Sequence, residues 1–369
     1  MDKKPLKVLF LIDELAEWRG TETHLYRLLK TFDKQRIEPS IAVIGHADLA
    51  EKFQQAGIST QQLNFYSVFS WQGIQGLLKI RRAIKVGKID LLVSYHTAAD
   101  ILAPLACLFT RTHCISSRRD EGFTKKLIHK KIQRQLNRFI DGMIAVSDAV
   151  ATAVNQDEHY TKNLIHVIHN GENLGLFSPG FSDFRPQNNL DETHILILCV
   201  GGLVPIKDHH TLIQAYEKIL SANPQARLVL AGDGDLRPVI ESHPLVKNGY
   251  IRVLGNRSDI VNIIRGCDIY AQTSLSEGFS NAILQALACG LPAVVTHVGG
   301  NPELVDASCG YLVQKHDINA TTGAINALIN DKDLRQKKSL AARKKAEENG
   351  CITRMTQSYT TFFEQVCTF

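Results

Sequence analysis

The sequence predicts an α/β protein built as two doubly wound parallel-sheet domains in tandem. Three observations carry that reading. Short apolar runs of strand character alternate with segments of helical period along most of the chain. The alternation breaks at 171–193, GENLGLFSPGFSDFRPQNNLDET, and then restarts. The chain has 369 residues, more than one core of roughly 150–200 residues organises.

The first half opens with KVLFLID (7–13), a buried-strand pattern. A loop, AEWRGTE, leads into THLYRLLKTF (23–32), where Leu25, Leu28, Leu29 and Phe32 recur at helical spacing. Strand-like runs follow at 40–44, 89–94, 114–117 and 142–146, with helical patterns such as GLLKIRRAIKVG (76–87) between them. The Gly-, Pro- and Asn-rich stretch at 171–193 has no sustained period and reads as a linker. Beyond it come strands at 194–200, 226–232, 250–255, 268–273 and 292–296. Helices are predicted at 210–220, 259–267 and 280–289. TRMTQSYTTFFEQV (353–366) reads as a terminal helix with Met355, Tyr359, Phe362 and Phe363 near one face. In open parallel sheets ligands bind outside the carboxyl ends of the strands, so an interdomain cleft is expected to hold the site.

Composition narrows the class. Hydrophobic residues make up 44% and charged residues 21%, which fits a globular chain rather than a disordered one. No apolar run reaches the roughly 18 residues of a membrane span. The amino terminus, MDKKPLKVLFLIDELAEW, meets Asp13 and Glu14 too early for a secretory leader and lacks a cleavage site. Eight cysteines lie singly with no CxxC pair, which points to reduced thiols in a cytoplasm and to neither a disulfide framework nor structural zinc. The net charge of +5 is concentrated before residue 186, where 25 basic residues face 19 acidic ones. That bias serves solubility or an anionic partner such as phosphate or a lipid headgroup surface.

Three strand–loop–helix junctions carry phosphate-binding chemistry. In SEGFSNAILQALACGLPAVV (276–295), Glu277 and Gly278 precede a helix that Ser280 can cap. Backbone N–H groups around Phe279, Ser280 and Asn281 then head that helix, a natural anion site. Gln285 lies two turns on, about 10 Å away at roughly 1.5 Å per residue. It cannot share one bond with Glu277, but both can grip one extended ligand. In CVGGLVPIKDHHTLI (199–213) the chain turns on Gly201-Gly202 and reaches a helix after Lys207, whose point charge suits a diphosphate. In WRGTETHL (18–25), Gly20 permits a tight turn, and Thr21 and Thr23 are candidate caps. Each junction alone is common in α/β proteins; together, with a lysine and a glutamate, they point to a diphosphate-bearing ligand.

Nearly end to end the chain resembles the retaining, nucleotide-sugar-dependent glycosyltransferases of family 4 (glycosyl transferases group 1), which have the GT-B fold. The resemblance runs through RGTETHL, SYHTAAD (94–100), AVSDAV (145–150), VIHNGENLGLF (167–177), VGGLVPIKD (200–208), LAGDGDLR (230–237) and VLGNRSDI (253–260). It is densest in SEGFSNAILQALACGLPAVVTHVGGNPELV (276–305). It implies an acceptor-side domain over 1–180, a donor domain over 190–350, and a final helix over 351–369 packing back toward the first domain. It implies that Glu277 contacts the donor sugar near its reacting carbon and that Phe279 and Ser280 offer N–H groups to the diphosphate. Lys207 would neutralise the leaving nucleotide, His96 would reach the sugar, and Gly20 would lie near the donor phosphates. Gln285 stands where the family places a ribose-holding glutamate. The implied reaction is hexosyl transfer with retention to a glycan or lipid-linked acceptor, in surface polysaccharide or glycolipid synthesis. The leaving phosphate would take the acceptor's proton. No cofactor, obligatory metal or nucleic-acid partner is implied.

The sequence departs from the family twice. Gln285 replaces glutamate, and Gly202 stands where a basic residue is usual. A glutamine carbonyl still accepts from a hydroxyl, so Gln285→Glu is expected to retain donor binding. Arg118 or Arg119, in ISSRRDEGF (115–123), are candidates for acceptor or phosphate contact. Other features have plainer readings. His96 can be a strand-end histidine. GDGD (232–235) follows a strand and reads as a tight turn, not a metal loop. His209-His210 reads as helix surface, and His166 and His169 as structural. The segment 124–139 is helical, with Leu127, Ile128, Ile132, Leu136 and Phe139 as a stripe and six basic residues elsewhere. It is either a core helix with a solvated face or a basic face for an anionic membrane, as on a peripheral cytoplasmic enzyme. The competing functions are a nucleotide-sugar epimerase or inverting enzyme of the same fold, a pyridoxal-dependent phosphorylase, and a non-catalytic nucleotide-sugar-binding subunit. A dinucleotide oxidoreductase is disfavoured because no GxGxxG opens either domain.

Overall fold

In the computed structural model, which describes residues 4–122, 127–158 and 165–368, the chain divides into two units. One comprises Met1–Gly171 with Ile352–Phe369, the other Glu172–Cys351. Each is a parallel sheet carrying helices, as the alternating pattern predicts.

The first unit contains β1 (Leu6–Ile12), β2 (Ile37–Val43), β3 (Ser59–Gln62), β4 (Leu91–Tyr95), β5 (His113–Arg118), β6 (Gly142–Ala145) and β7 (Ile165–Val167). Their order is β3-β2-β1-β4-β5-β6-β7, and every pairing is parallel. The chain winds outward from β1 to β3, then returns to lay β4 beside β1. The loops after β1 and β4 therefore meet at a topological switch point. The terminal helix Ile352–Val366 completes this core. Tyr359 and Phe363 are fully buried, and the Phe363 ring lies 6.1 Å from that of Phe10 and 6.0 Å from that of Phe32. Arg36 bridges to Glu364 at 2.6 Å.

The second unit contains β8 (Ile195–Val200), β9 (Ala226–Ala231), β10 (Ile251–Val253), β11 (Ile269–Gln272), β12 (Ala293–Thr296) and β13 (Gly310–Val313). The order β10-β9-β8-β11-β12-β13 places its switch point between β8 and β11. The Gly-Gly-to-Lys207 loop leaves β8 and the Glu277 loop leaves β11, so topology alone brings two distant motifs together.

The structure revises three local readings. Part of the expected linker is packed structure of the second unit. Phe184 is fully buried, Ser182 and Asp183 bond Asn262, and Arg185 pairs with Asp268 at 2.7 Å. Side-chain hydrogen bonds hold this stretch, and they leave no periodicity to read. Two helices, Ile318–Asn330 and Lys332–Asn349, also lie beyond the segments singled out from sequence. The second buries only Lys338, Ala342 and Ala346, so its apolar stripe is almost absent. The helix expected at 124–139 starts in part outside the described residues. Where described it spans Leu127–Leu136, followed by a 3-10 turn at Asn137–Phe139. It buries Gln133 and Asn137, while Leu127 and Ile128 are exposed. Among the described residues no helix is long and apolar enough to cross a membrane.

Candidate functional site

The site in the second unit is built on glycines that allow backbone to touch backbone. A Cβ at Gly232 would lie 2.0 Å from the Gly201 carbonyl oxygen, and one at Gly234 would lie 2.6 Å from that of Leu203. The GDGD turn thus braces the Gly201-Gly202 loop, and Leu203 N–H donates to the Asp233 carbonyl at 2.9 Å. Within the turn, Asp233 receives Gly234 N–H and Arg237, so its carboxylate already serves structure.

From that brace the chain makes a 3-10 turn over Pro205–Lys207. Asp208 then takes φ +46°, a strained conformation for a residue other than glycine. Asp208 caps the helix His209–Ala222 through Thr211 and pairs with His316 at 3.0 Å. Its carbonyl receives Thr273 Oγ1 at 2.8 Å, while Leu275 N–H donates to the Ile206 carbonyl at 2.8 Å. These bonds stitch the β8 and β11 loops together and fix where Lys207 stands.

Lys207 Nζ meets Glu277 Oε1 at 2.5 Å. The same oxygen receives Ser274 Oγ at 2.6 Å and Gln272 Nε2. Gln272 is itself oriented, because Tyr270 O–H and Ser280 O–H donate to its Oε1 at 2.6 and 3.3 Å. Thr296 Oγ1 holds the Ser274 carbonyl at 2.6 Å. Behind Glu277 lies Gly299 at φ +47°, where a Cβ would sit 1.6 Å from the Glu277 carbonyl oxygen. Gly300 N–H donates to that carbonyl at 3.2 Å. Glu277 is therefore fixed from both its backbone and its carboxylate. It is no helix cap: Ser280 caps the helix Asn281–Ala288, accepting from Ile283 N–H at 3.4 Å.

The remaining predicted residues fall around this pair. Gly278 follows it, half-buried, Phe279 and Ser280 are buried, and Asn281 opens the helix. Gln285 is buried two turns on, and its Nε2 donates to Glu172 Oε2 at 2.7 Å. His209 corrects the surface reading: it is buried, while His210 is exposed. Burial, then the Lys207 charge, pushes the His209 imidazole down to about 4. Its Nδ1 has no hydrogen-bond partner among the described residues.

In the first unit the switch point carries His96 and the β1 loop. Asp13, at the end of β1, accepts Ala98 N–H at 2.9 Å and Ala99 N–H at 2.7 Å. This clasps the loop to the start of the helix Thr97–Cys107. Burial outweighs those two bonds and pushes the Asp13 carboxyl up to about 7. His96 stands at the N-cap position of that helix with φ +73°, without a side-chain cap bond, and burial holds its imidazole below the usual range. Gly20 is the first residue of the helix Gly20–Thr31. It has no positive φ among the glycines that do, so the expected tight turn is not its reason. Arg19 occupies the cap position that Thr21 and Thr23 were expected to fill. A Cβ at Gly20 would meet nothing within 4 Å.

The two arginines separate because successive residues at a strand end face opposite ways. Arg118 is buried and pairs with Asp100 and with Glu158 Oε2 at 2.8 Å. Ser94, Ser116 and Gln133 complete the Asp100 shell. Arg118 is thus a core charge hub, not the ligand contact expected of it. Arg119 is half-buried, reaches Asn170 Oδ1 and, at 3.5 Å, Tyr359 O–H, and lies close enough to help depress the His96 imidazole.

Asp13, Glu172, Asp208, Gln272, Ser274 and Gly299 were not singled out from sequence. Asp13 had a signal, a carboxylate ending a buried strand. Gln272 and Ser274 had none beyond flanking the Glu277 loop.

Comparison with known proteins agrees with this fold. The family described as glycosyl transferases group 1 matches residues 181–345, and glycosyltransferase family 4 matches residues 18–175. The UDP-Gal:alpha-D-GlcNAc-diphosphoundecaprenol alpha-1,3-galactosyltransferase of Escherichia coli is 26% identical over 278 residues, covering 71% of this chain and 72% of that one. The phosphatidylinositol N-acetylglucosaminyltransferase GPI3 subunit of Saccharomyces cerevisiae (strain YJM789) is 25% identical over 338 residues, covering 84% and 72%. The crystal structure of Anabaena Alr3699/HepE in complex with UDP superposes with a TM-score of 0.88 at 22% identity, over 98% of this chain and 100% of that one. Two parallel-sheet domains of this kind define the GT-B class. The chain belongs to the group 1, family 4 glycosyltransferases, and it is a transferase.

Proposed function

We propose that the chain moves a hexosyl group, with retention, from a nucleotide-diphosphate sugar to a hydroxyl of a lipid-linked or glycan acceptor. The observation that carries this is the Lys207–Glu277 pair, held at the β8/β11 switch point beside a helix N-terminus. Support for the donor comes from the Anabaena neighbour, whose structures are in complex with UDP and with UDP-glucose. Support for the acceptor comes from the relatives' names, which specify diphosphoundecaprenol and phosphatidylinositol carriers.

In this reading the sugar–diphosphate C1–O bond breaks and its electron pair goes to the leaving diphosphate. Lys207 exchanges Glu277 for a phosphate oxygen, and the N-terminal end of Asn281–Ala288 adds its dipole to that charge. Glu277, kept in place by Gln272 and Ser274, stabilises or orients the oxocarbenium-like sugar. Gln285 accepts from a ribose hydroxyl. The acceptor oxygen attacks the same face of C1 while its proton passes to the departing phosphate, so no separate base is needed. A lysine and a helix N-terminus supply the charge that a divalent ion would otherwise carry, so turnover is expected to survive EDTA.

The same reading places the chain on the cytoplasmic face of a membrane. Trp71 is 70% and Leu127 is 77% exposed. Stacking of Phe69 on His129 at 6.1 Å joins their segments, and Lys130, Lys131 and Arg134 lie on the same helix. Apolar side chains beside lysines suit an anionic leaflet.

The test is turnover by the purified chain with UDP-, GDP- and ADP-hexoses and lipid-linked acceptors, with the product's anomeric configuration read by NMR. Retention supports the proposal; inversion, or epimerised donor without transfer, contradicts it.

A further inference from the structure

We infer that Glu172 is a positioning residue for the nucleotide, and that it is the reason position 285 carries an amide. This rests on the reading above, in which Gln285 accepts from the ribose. Glu172 is 2% and Gln285 8% exposed. Glu172 Oε2 receives Gln285 Nε2 at 2.7 Å, and Oε1 receives Asn173 N–H at 2.9 Å. The backbone of Glu172 is anchored as well, its N–H donating to the Gly350 carbonyl at 2.7 Å. Both carboxylate oxygens thus have a donor, and the partner at Oε2 must be a donor, since an ionised carboxylate only accepts.

Two consequences follow. First, the carboxylate turns the Gln285 amide one way: NH₂ toward Glu172, carbonyl oxygen toward the ligand. A glutamine is otherwise free to flip, so this contact converts an ambiguous side chain into a fixed acceptor. Second, a glutamate at 285 would bring two carboxylates into hydrogen-bond contact in a buried place. One would have to hold a proton or the pair would part. The sequence expectation that Gln285→Glu retains donor binding therefore reverses. The negative charge of this part of the site sits on residue 172, one shell back, and residue 285 reports it through a hydrogen bond.

The experiment is a charge-swap cycle of Gln285→Glu, Glu172→Gln and the double variant. Each is measured for donor KM, kcat and melting temperature from pH 6 to 8. Gln285→Glu is expected to raise donor KM at least about tenfold with a smaller change in kcat. The penalty should deepen as pH rises, because the buried pair is relieved only by a shared proton. Adding Glu172→Gln should return KM to within about threefold of the parent and abolish the pH dependence. Should Gln285→Glu not fold, recovery of folding and KM in the double variant still supports the inference. Parental KM at all pH values in Gln285→Glu, or a double variant no better than it, overturns it. The ribose reading is checked separately by Gln285→Ala. Unchanged nucleotide affinity there sinks that reading, while the pair itself stands or falls on whether the melting temperatures of the cycle are coupled.

Discussion

Lys207 and Glu277 meet through one oxygen, Glu277 Oε1, which Ser274 and Gln272 also reach. Ser274 and Gln272 still hold this oxygen when the lysine leaves it. Lys207 can then transfer to a phosphate while Glu277 keeps its place. Lys207→Ala should cost about 10²- to 10³-fold in kcat/KM, as loss of a charge-stabilising donor does, with little change in melting temperature. Steady-state kinetics with the donor varied will check this; a loss confined to melting temperature would assign the pair to structure.

Gly299 carries a backbone burden. At φ +47°, with its would-be Cβ 1.6 Å from the Glu277 carbonyl oxygen, any side chain must push the Glu277 loop away. Gly299→Ala should lose most activity and about 1–3 kcal/mol of stability. Gly323, inside the helix Ile318–Asn330 with nothing within 4 Å of its Cβ position, is the control. Gly323→Ala should leave turnover intact and gain up to about 1 kcal/mol. Denaturant melts and kinetics on both variants separate the effects.

His209 sets an acid limb on stability. Its folded value, about 4, lies below the ordinary 6.5, so between these pH values the unfolded chain binds the extra proton. Stability from this group is fully present above about pH 6.5 and is lost as pH falls toward 4, about 3 kcal/mol in all. His209→Leu should flatten that limb. Urea melts at pH 5 and 7 will show it; an unchanged slope would mean the imidazole titrates normally.

Vesicle binding separates a core helix from a membrane face at Leu127–Leu136. Co-sedimentation with phosphatidylglycerol-containing vesicles should be salt-sensitive and should weaken in Trp71→Ala and in Lys130→Glu/Lys131→Glu. Equal binding to neutral vesicles would contradict the electrostatic part, and none at all would remove the surface.

The fold was legible because burial imposes periodicity. Runs such as KVLFLID and HILILCV became β1 and β8 almost residue for residue. What stayed hidden is held by groups that leave no period. Arg185 and Asn262 pin the supposed linker, and the helix Lys332–Asn349 shows hardly any apolar face. At the site, Glu277 and Lys207 could be read as chemistry beside a helix start, and the switch point brought them together. Arg118 could not be told from Arg119, because which of two adjacent residues faces the core depends on where β5 ends. Glu172 was invisible for a different reason. It meets Gln285 only through folding, across 113 positions, and an isolated glutamate in a polar stretch looks like surface.

The most direct test compares wild type with Glu277→Gln, an isosteric change that removes the carboxylate and leaves the backbone seat on Gly299. The quantity is the single-turnover rate of sugar transfer to a lipid-linked acceptor, with nucleotide affinity measured on the same preparations. Expected is affinity within about threefold and a transfer rate down by about 10² or more. Transfer at the wild-type rate in Glu277→Gln would contradict a reaction centred on this carboxylate.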